Sequence, residues 1–221
     1  WVGRTSPATL AKLNQELGTS IDFDALSGFE GGQWRKTYIP CSGNMVAGAS
    51  GVTVATGFDV GQVSPASIDA MDLPPATRDK LKKFAGKSYK GQTCANANAA
   101  MNKLGVETFD PAEADAIDYA VKKKHLAPAQ ASWNATVPVG KPKFAELTPA
   151  QQTVIFSRTY HQGTGMPQTP IAQGFYKAAQ EGDWLTAEQK LRNYAVTPDW
   201  YKNRVAAEAD LLAKERKASM R

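Results

Sequence analysis

The sequence has no long apolar run, and it therefore predicts no membrane-spanning helix. No stretch approaches the roughly 18 apolar residues of a membrane-spanning helix, and no basic-then-apolar signal segment is present. Internal repeats and low-complexity tracts are also absent, so we expect residues 1–221 to form one functional unit, with no membrane insertion. Because the chain opens on Trp1, we expect a domain excised from a larger protein.

Cysteine and histidine are equally scarce. The two histidines, His125 and His161, have no acidic residues nearby, so we expect neither a metal site nor a cofactor. The two cysteines, Cys41 and Cys94, make no framework. They form either one disulfide, which would suit an oxidising compartment, or two isolated thiols.

The charge balance narrows the choice of partner. The net charge of +5 and the pI near 9.1 favour an anionic partner: nucleic acid, a membrane surface or an acidic cell-wall polymer. No zinc-finger spacing or RNP-type run is present, and we therefore expect no nucleic-acid binding.

Helix starts are clearly marked. A capping residue directly before proline recurs, and Glu113 and Gln151 complete capping boxes in two of these starts. The caps are Ser6, Ser64, Asp110, Thr148 and Thr197. Helices are predicted to end at Glu30 and to span 75–85, 95–104, 111–124, 168–180 and 184–194. In the helix at 111–124, the basic run 122–124 would be favourably placed at the negative C-terminal end of the helix dipole.

Strand character is limited to 34–39 and 52–58, on either side of a Gly/Ser/Asn-rich connection. The sequence therefore predicts an α+β fold, predominantly helical, with a small β-hairpin lobe at about 30–62 on a large helical body. If 52–59 is one extended strand, period-two alternation gives it a small, polar face and an apolar face. The small face holds Thr53, Ala55, Gly57 and Asp59; the apolar face holds Val52, Val54, Thr56 and Phe58.

Two isolated carboxylates, Glu30 and Asp59, flank this hairpin. Cleaving a glycosidic bond requires a protonated acid and a second, ionised carboxylate. A helix C-terminus disfavours negative charge at Glu30, whereas Asp59 ends a strand, where Thr53 could help it hold a water. The residues alone leave open that Glu30 is a solvated helix end and Asp59 a turn cap.

The segments "FEGG" and "SGVTVATGFDVGQ" resemble the muramidase domain of pesticin-type bacteriocins, which are relatives of the phage lysozymes. The resemblance implies a lysozyme-like fold and hydrolysis of the β-1,4 bond between N-acetylmuramic acid and N-acetylglucosamine. In that family Glu, Thr and Asp occur in this order. Glu30 would be the general acid, Asp59 the water-activating base and Thr53 the residue that places the water, in an inverting reaction.

Two further segments show a looser resemblance. "FSRTYHQGTG" (156–165) resembles a family helix end that borders the substrate groove, and "NRVAAEADLL" (203–212) resembles the terminal helix of these lysozymes, which bears an Arg and a Glu. The candidate substrate-binding residues are Tyr38, Gln62, Tyr160, His161 and Gln162. One departure is Ile39, which stands where ordinary phage lysozymes have their Asp, so only the pesticin-like order is present.

The resemblance also implies partners and a place of action. We expect a monomer that acts on peptidoglycan without a cofactor, secreted or delivered to the periplasm or cell wall of a target bacterium. The sequence leaves open whether a cognate immunity protein exists. A phage endolysin, a bacteriocin and a secretion-system effector would all have such a sequence.

Two other functions remain open. Cys41 with His161 or His125 could form a cysteine-dependent peptidase or amidase that cuts the stem peptide, although nothing around Cys41 marks a helix N-terminus. A non-catalytic peptidoglycan-binding module is the other alternative, in which Trp34, Tyr38 and Tyr160 would stack on sugars.

Overall fold

The computed structural model describes residues 1–162, 169–194 and 199–221; of residues 161, 162, 199 and 200 only the backbone is described. The described residues form an α+β fold dominated by helices, as predicted. The helices are α1 (Pro7–Leu17), α2 (Phe23–Glu30), α3 (Pro65–Asp69), α4 (Pro75–Lys82), α5 (Cys94–Leu104), α6 (Pro111–Thr136), α7 (Pro149–Gln162), α8 (Pro170–Gln180), α9 (Trp184–Arg192) and α10 (Asp199–Ala218). None of the helices in these described ranges is long and apolar enough to cross a membrane.

The chain divides into two compact units. The first comprises residues 1–10 and 30–122, and the second comprises residues 11–29 and 123–221. The apolar core of the first includes Val54, Ile68, Leu81, Phe84 and Ile117; that of the second includes Leu26, Trp133, Phe144, Phe156 and Phe175. That residues 1–221 act as a single catalytic domain, with a small lobe at about 30–62, stays a prediction.

The predicted helix starts are confirmed wherever the structure describes them. The Ser6 and Ser64 hydroxyls accept hydrogen bonds from the backbone N–H three residues later. Asp110 with Glu113, and Thr148 with Gln151, exchange side-chain and backbone hydrogen bonds as reciprocal capping boxes. The predicted cap at Thr197 lies outside the described residues.

Helix α6 differs from its prediction. It does not end at the basic run 122–124 but continues to Thr136, with Pro128 inside it. Its extension is held by buried apolar residues, Leu126, Ala129 and Trp133, and this packing outweighs the local signal that the basic run and the proline give. Lys122 is therefore a mid-helix residue and not a helix end.

A four-stranded antiparallel sheet lies in the first unit. Its order is β1 (Val2–Gly3), β2 (Gln33–Tyr38), β5 (Thr53–Ala55) and β6 (Phe58–Asp59). The strands β3 (Cys41–Ser42) and β4 (Met45–Val46) form a second, two-stranded sheet within the Gly/Ser/Asn-rich connection. The sequence predicted β2 and its pairing partner, but not β1 or the second sheet.

The prediction that 52–59 is one extended strand is wrong. The chain reverses at Thr56 and Gly57, so this stretch is itself a tight hairpin of β5 and β6. Two left-handed residues allow the reversal, Gly57 with a φ of 80° and Ala55 with a φ of 55°. The proposed alternation of faces therefore fails beyond Ala55, and all three residues of β5 are buried.

Cys41 and Cys94 form a disulfide, with their Cα atoms 6.1 Å apart. It ties β3 to the start of α5 and closes a loop with a sequence separation of 53. Constraining the unfolded chain over a loop of this length stabilises the fold by about 4 kcal/mol in the chain-entropy model.

Reduction of this disulfide should therefore destabilise the protein. We expect the melting temperature to fall by about 10 °C when a reductant is present, as measured by circular dichroism. The Cys41→Ser/Cys94→Ser variant should melt at the lower temperature and not respond to reductant. A melting temperature that reductant leaves unchanged in the unsubstituted chain would contradict this stabilisation.

Candidate active site

Three of the predicted site residues lie in one row across the sheet of the first unit. Thr53 in β5 is the register partner of Tyr38 in β2 on one side and of Asp59 in β6 on the other. Directly paired residues of antiparallel strands have side chains on the same face. The tight hairpin thus brings Thr53 and Asp59 together, although the sequence predicted their proximity for a different reason.

Two backbone N–H groups hold the Asp59 carboxylate. Gly61 N donates to Oδ1 at 3.0 Å, and Gly51 N donates to both oxygens at 3.1 and 3.3 Å. A Cβ on either glycine would lie only 2.7 Å from the other glycine's Cα and closer still to the Lys87 carbonyl oxygen. Only glycines can approach this closely, and their approach lets both N–H groups reach one carboxylate.

Asp59 also caps a 3₁₀ turn, Val60–Gln62, so the turn-cap alternative describes part of its role. Burial raises the pKa of the Asp59 carboxyl above its ordinary value, while hydrogen bonds from Gly51, Gly61, Gln62 and Ser50 act in the opposite direction. An ionised carboxylate with a raised pKa is a stronger base than an ordinary aspartate.

Two of the predicted substrate-binding residues, Gln62 and Tyr38, lie beside Asp59. Gln62 hydrogen-bonds the carboxylate, and its Nε2 donates to the Ala49 carbonyl at 2.7 Å. Burial raises the pKa of the Tyr38 phenol, and the negative charge of Asp59 adds to this shift. The Tyr38 ring packs against Trp34 with centroids 4.9 Å apart, and Trp34 is 40% exposed.

Thr53 is almost completely buried, with 2% of its surface exposed. Its hydroxyl donates to the Gly51 carbonyl at 3.2 Å and keeps its lone pairs for accepting hydrogen bonds. Gly51 therefore contacts both polar residues of the row, through its carbonyl to Thr53 and through its N–H to Asp59.

Glu30 ends α2, as predicted, but it is not a solvated helix end. Its carboxylate pairs with the Lys122 ammonium of α6, with Oε2 and Nζ 2.8 Å apart. Both side chains are buried, with 6% of Glu30 and 4% of Lys122 exposed. Sequence reasoning missed this role of Lys122, which it placed at the C-terminal end of a helix.

Comparison with known families identifies the family of this chain. The family model described as pesticin, a bacterial toxin homologue of phage lysozyme (C-terminal part), matches residues 20–185. The chain belongs to this family. A search among curated proteins found no match. The matched range contains every predicted site residue, and membership of the pesticin family agrees with the lysozyme-like α+β fold.

The remaining predicted contacts of this pesticin-family domain lie in the second unit. The Tyr160 ring stacks on His125, with centroids 4.6 Å apart, and meets Phe156 edge-on. His161 and Gln162 belong to the last turn of α7. Of the predicted substrate-binding residues, Tyr38 and Gln62 lie beside the catalytic candidate Asp59. The side chains of His161 and Gln162 lie outside the described residues.

The Arg and Glu expected in the terminal helix form part of a buried cluster in the second unit. Arg204 and Glu208 of α10 form an ion pair one turn apart, at 3.6 Å. Glu208 also pairs with Arg158 of α7 at 2.6 Å, and the Ser157 hydroxyl hydrogen-bonds both Glu208 and Arg204. No feature of the sequence predicted that Arg158 and Ser157 belong to this cluster.

The disulfide removes the basis of one alternative. A cysteine hydrolase needs a free thiolate, and Cys41 is bonded to Cys94. The ring of His125 stacks on that of Tyr160. Within the described ranges, no group of three or more His, Cys, Asp or Glu residues could hold a metal ion.

Proposed function

We propose that this domain is a muramidase, a glycoside hydrolase that cleaves the β-1,4 bond between N-acetylmuramic acid and N-acetylglucosamine in peptidoglycan. The observation that carries the proposal is the row Tyr38–Thr53–Asp59, in which a half-buried carboxylate lies beside a hydroxyl and an aromatic pair. Membership of a toxin family homologous to phage lysozyme supports the same chemistry.

In the proposed mechanism Asp59 takes a proton from water as the water attacks the anomeric carbon. The Thr53 hydroxyl accepts a hydrogen bond from that water and helps to place it, because its own proton is engaged by Gly51. Glu30 donates its proton to the departing sugar oxygen. This division of roles corresponds to an inverting glycosidase, in which acid and base are about 6.5–9.5 Å apart.

The ion pair with Lys122 adds a condition to this mechanism. A pair at 2.8 Å joins an ammonium to a carboxylate, whereas a general acid must hold a proton when it acts. Glu30 must therefore gain a proton before the bond breaks. Uptake of a proton by the carboxylate as the glycan binds, with Oε2 still held by Lys122, would meet this requirement.

Analysis of the reaction products tests the bond that is cut. Purified peptidoglycan incubated with the protein should release disaccharide-peptides with N-acetylmuramic acid at the reducing end, identified by mass spectrometry. Free stem peptides would instead indicate a peptidase or amidase. Binding to the cell wall without any release of fragments would indicate a non-catalytic binding module and contradict the proposed function.

The inverting mechanism predicts the anomer that forms first. Proton NMR of the reaction in progress should show the α-anomer of the new reducing end before mutarotation, because inversion converts a β bond into an α product. The control is a retaining lysozyme on the same substrate, which should form the β-anomer first. A β-anomer from this protein would exclude the proposed role of Asp59 as a water-activating base.

The toxin family also supports a place of action. We propose delivery to the periplasm or cell wall of a target bacterium, with a cognate immunity protein in the producing cell. The Cys41–Cys94 disulfide is consistent with an oxidising compartment of this kind.

A further inference from the structure

One helix contacts both chain segments on which the proposed catalytic carboxylates lie. We propose that Asp118 and Lys122, one turn apart on α6, are positioning residues that set where the Asp59 hairpin and the Glu30 helix end lie. This inference rests on the proposed function. All of the residues concerned belong to the first unit.

Asp118 holds the turn of the β5–β6 hairpin. Its Oδ1 accepts a hydrogen bond from the Thr56 backbone N–H at 2.9 Å, and its Oδ2 accepts one from the Thr56 hydroxyl at 2.9 Å. The same carboxylate accepts bonds from Thr5 Oγ1 and Gln33 Nε2, both at 2.8 Å. Asp118 is only 3% exposed, and charge-assisted bonds to a buried carboxylate are strong and directional.

The hairpin turn that Asp118 holds determines where Thr53 and Asp59 lie. Thr56 is three residues from Thr53 and three from Asp59, so a shift of the turn moves both. The neighbouring Ala55 has a φ of 55°, a left-handed conformation that is strained for a residue other than glycine. The bidentate grip on Thr56 helps to offset this strain and keeps the hairpin in a single conformation.

Lys122 holds the other carboxylate from the same helix. Its Nζ lies 2.8 Å from Glu30 Oε2, and four residues of α-helix separate it from Asp118, about 6 Å along the axis. Gln33, which begins β2 directly after the Gly31–Gly32 pair, is also bound by Asp118. Residues of one turn of α6 thus hold both the helix end that carries the proposed acid and the hairpin that carries the proposed base.

Asp115 provides a matched contrast on the same helix. It accepts hydrogen bonds from Gln33 Nε2 at 2.9 Å, from the Ser6 backbone N–H at 3.2 Å and from the Thr9 hydroxyl at 3.4 Å. None of these bonds reaches Thr56 or Glu30. Substituting Asp115 therefore disturbs the contact with Gln33 that it shares with Asp118, but it leaves the contacts of Thr56 and Glu30 in place.

The test compares Asp118→Asn with Asp115→Asn on a soluble peptidoglycan fragment. An amide accepts at only one terminal atom, so Asp118→Asn cannot keep all of its bonds. We expect its kcat to fall about 30-fold while KM stays within about twofold, because positioning errors of about an ångström act on turnover. The kcat of Asp115→Asn should stay within about threefold of the unsubstituted protein, with a similar loss of melting temperature.

The Lys122 contact is tested by a conservative rescue. Lys122→Met removes the charge that orients Glu30, and its kcat should fall at least tenfold. Lys122→Arg keeps a cation at this site and should recover most of that loss at an equal folded fraction. Equal kcat values for the two variants would exclude a positioning role for Lys122.

The outcomes separate this inference from the proposed function. Equal kcat values for Asp118→Asn and Asp115→Asn overturn the positioning role of Asp118, provided that Glu30→Gln is inactive. Full activity of Glu30→Gln removes Glu30 from the mechanism and with it the positioning role of Lys122, whereas failure of the unsubstituted protein to release disaccharide-peptides overturns the proposed function itself. If Asp118→Asn fails to fold, Thr56→Val removes the same hydroxyl bond from the turn side; a several-fold loss of kcat supports the inference and an unchanged kcat overturns it.

Discussion

Replacing Glu30 with glutamine should reduce the turnover of peptidoglycan by roughly 10³-fold, within the range typical of general acid catalysis. The amide has nearly the shape of the acid but cannot protonate the departing sugar oxygen. Release of soluble muropeptides from purified peptidoglycan, followed by chromatography and mass spectrometry, measures the loss. A variant that retains full activity would remove Glu30 from the mechanism.

The same substitution should also lower stability, and the buried Lys122 is the reason. Both side chains are almost fully buried, and breaking such a pair by neutralising one member costs about 3–5 kcal/mol. Assays must therefore be made well below the melting temperature of the variant. The double variant Glu30→Gln/Lys122→Met removes both charges, and we expect it to regain stability but no activity.

That double variant separates two explanations of an inactive Glu30→Gln protein. If lost activity were caused only by a disturbed fold, restoring stability would restore turnover. If Glu30 is the acid, the stabilised double variant stays inactive. Circular dichroism melting curves and muropeptide release, measured on the same preparations, decide between them.

Replacing Asp59 with asparagine should lower activity by about 10²–10³-fold without lowering stability. The amide cannot take a proton from water, so the attack loses its base. Thr53→Ala should show a smaller loss on the same substrate, because it removes only a hydroxyl that places the water. A Thr53→Ala variant with full activity would exclude Thr53 from the mechanism.

The stability of Asp59→Asn follows from the direction of the pKa shift. Burial raises the pKa of Asp59 in the folded state above the ordinary value of 3.8, so ionising it opposes folding. This cost is fully present at a pH above the folded pKa, and it is relieved as the pH falls through that pKa towards the ordinary value. Asp59→Asn lacks the cost at every pH.

Melting curves across pH therefore give a second, independent measure of Asp59. At neutral pH the Asp59→Asn variant should melt at or above the temperature of the unsubstituted protein, and the difference should shrink as the pH is lowered. A variant that melts clearly lower at neutral pH would show that the hydrogen bonds to the carboxylate outweigh its burial.

The parts of the site that sequence could predict are local. Glu30 is placed by a helix that ends against two glycines, and Asp59 by a short segment between glycines; both signals lie within a few residues. The hairpin was misread because alternation describes an extended strand and does not detect the reversal at Thr56 and Gly57.

The parts that could not be predicted depend on tertiary contacts. Lys122 lies 92 residues from Glu30 in sequence, and a run of lysines is usually solvated. Asp118 has no distinguishing signal in the sequence, whereas the fold buries it and gives its carboxylate four hydrogen bonds. Burial of charge is decided by the partners that the fold brings together.

The Cys41–Cys94 bond makes part of the chain a closed ring with one tail leaving each of the two cysteines. A linear polypeptide can pass through a narrow channel as one extended strand, but a ring must enter as two strands side by side. Any transport route that threads an unfolded chain through a single-strand opening would therefore need the thiol form. The covalent ring would then close only after passage, where the surroundings are oxidising.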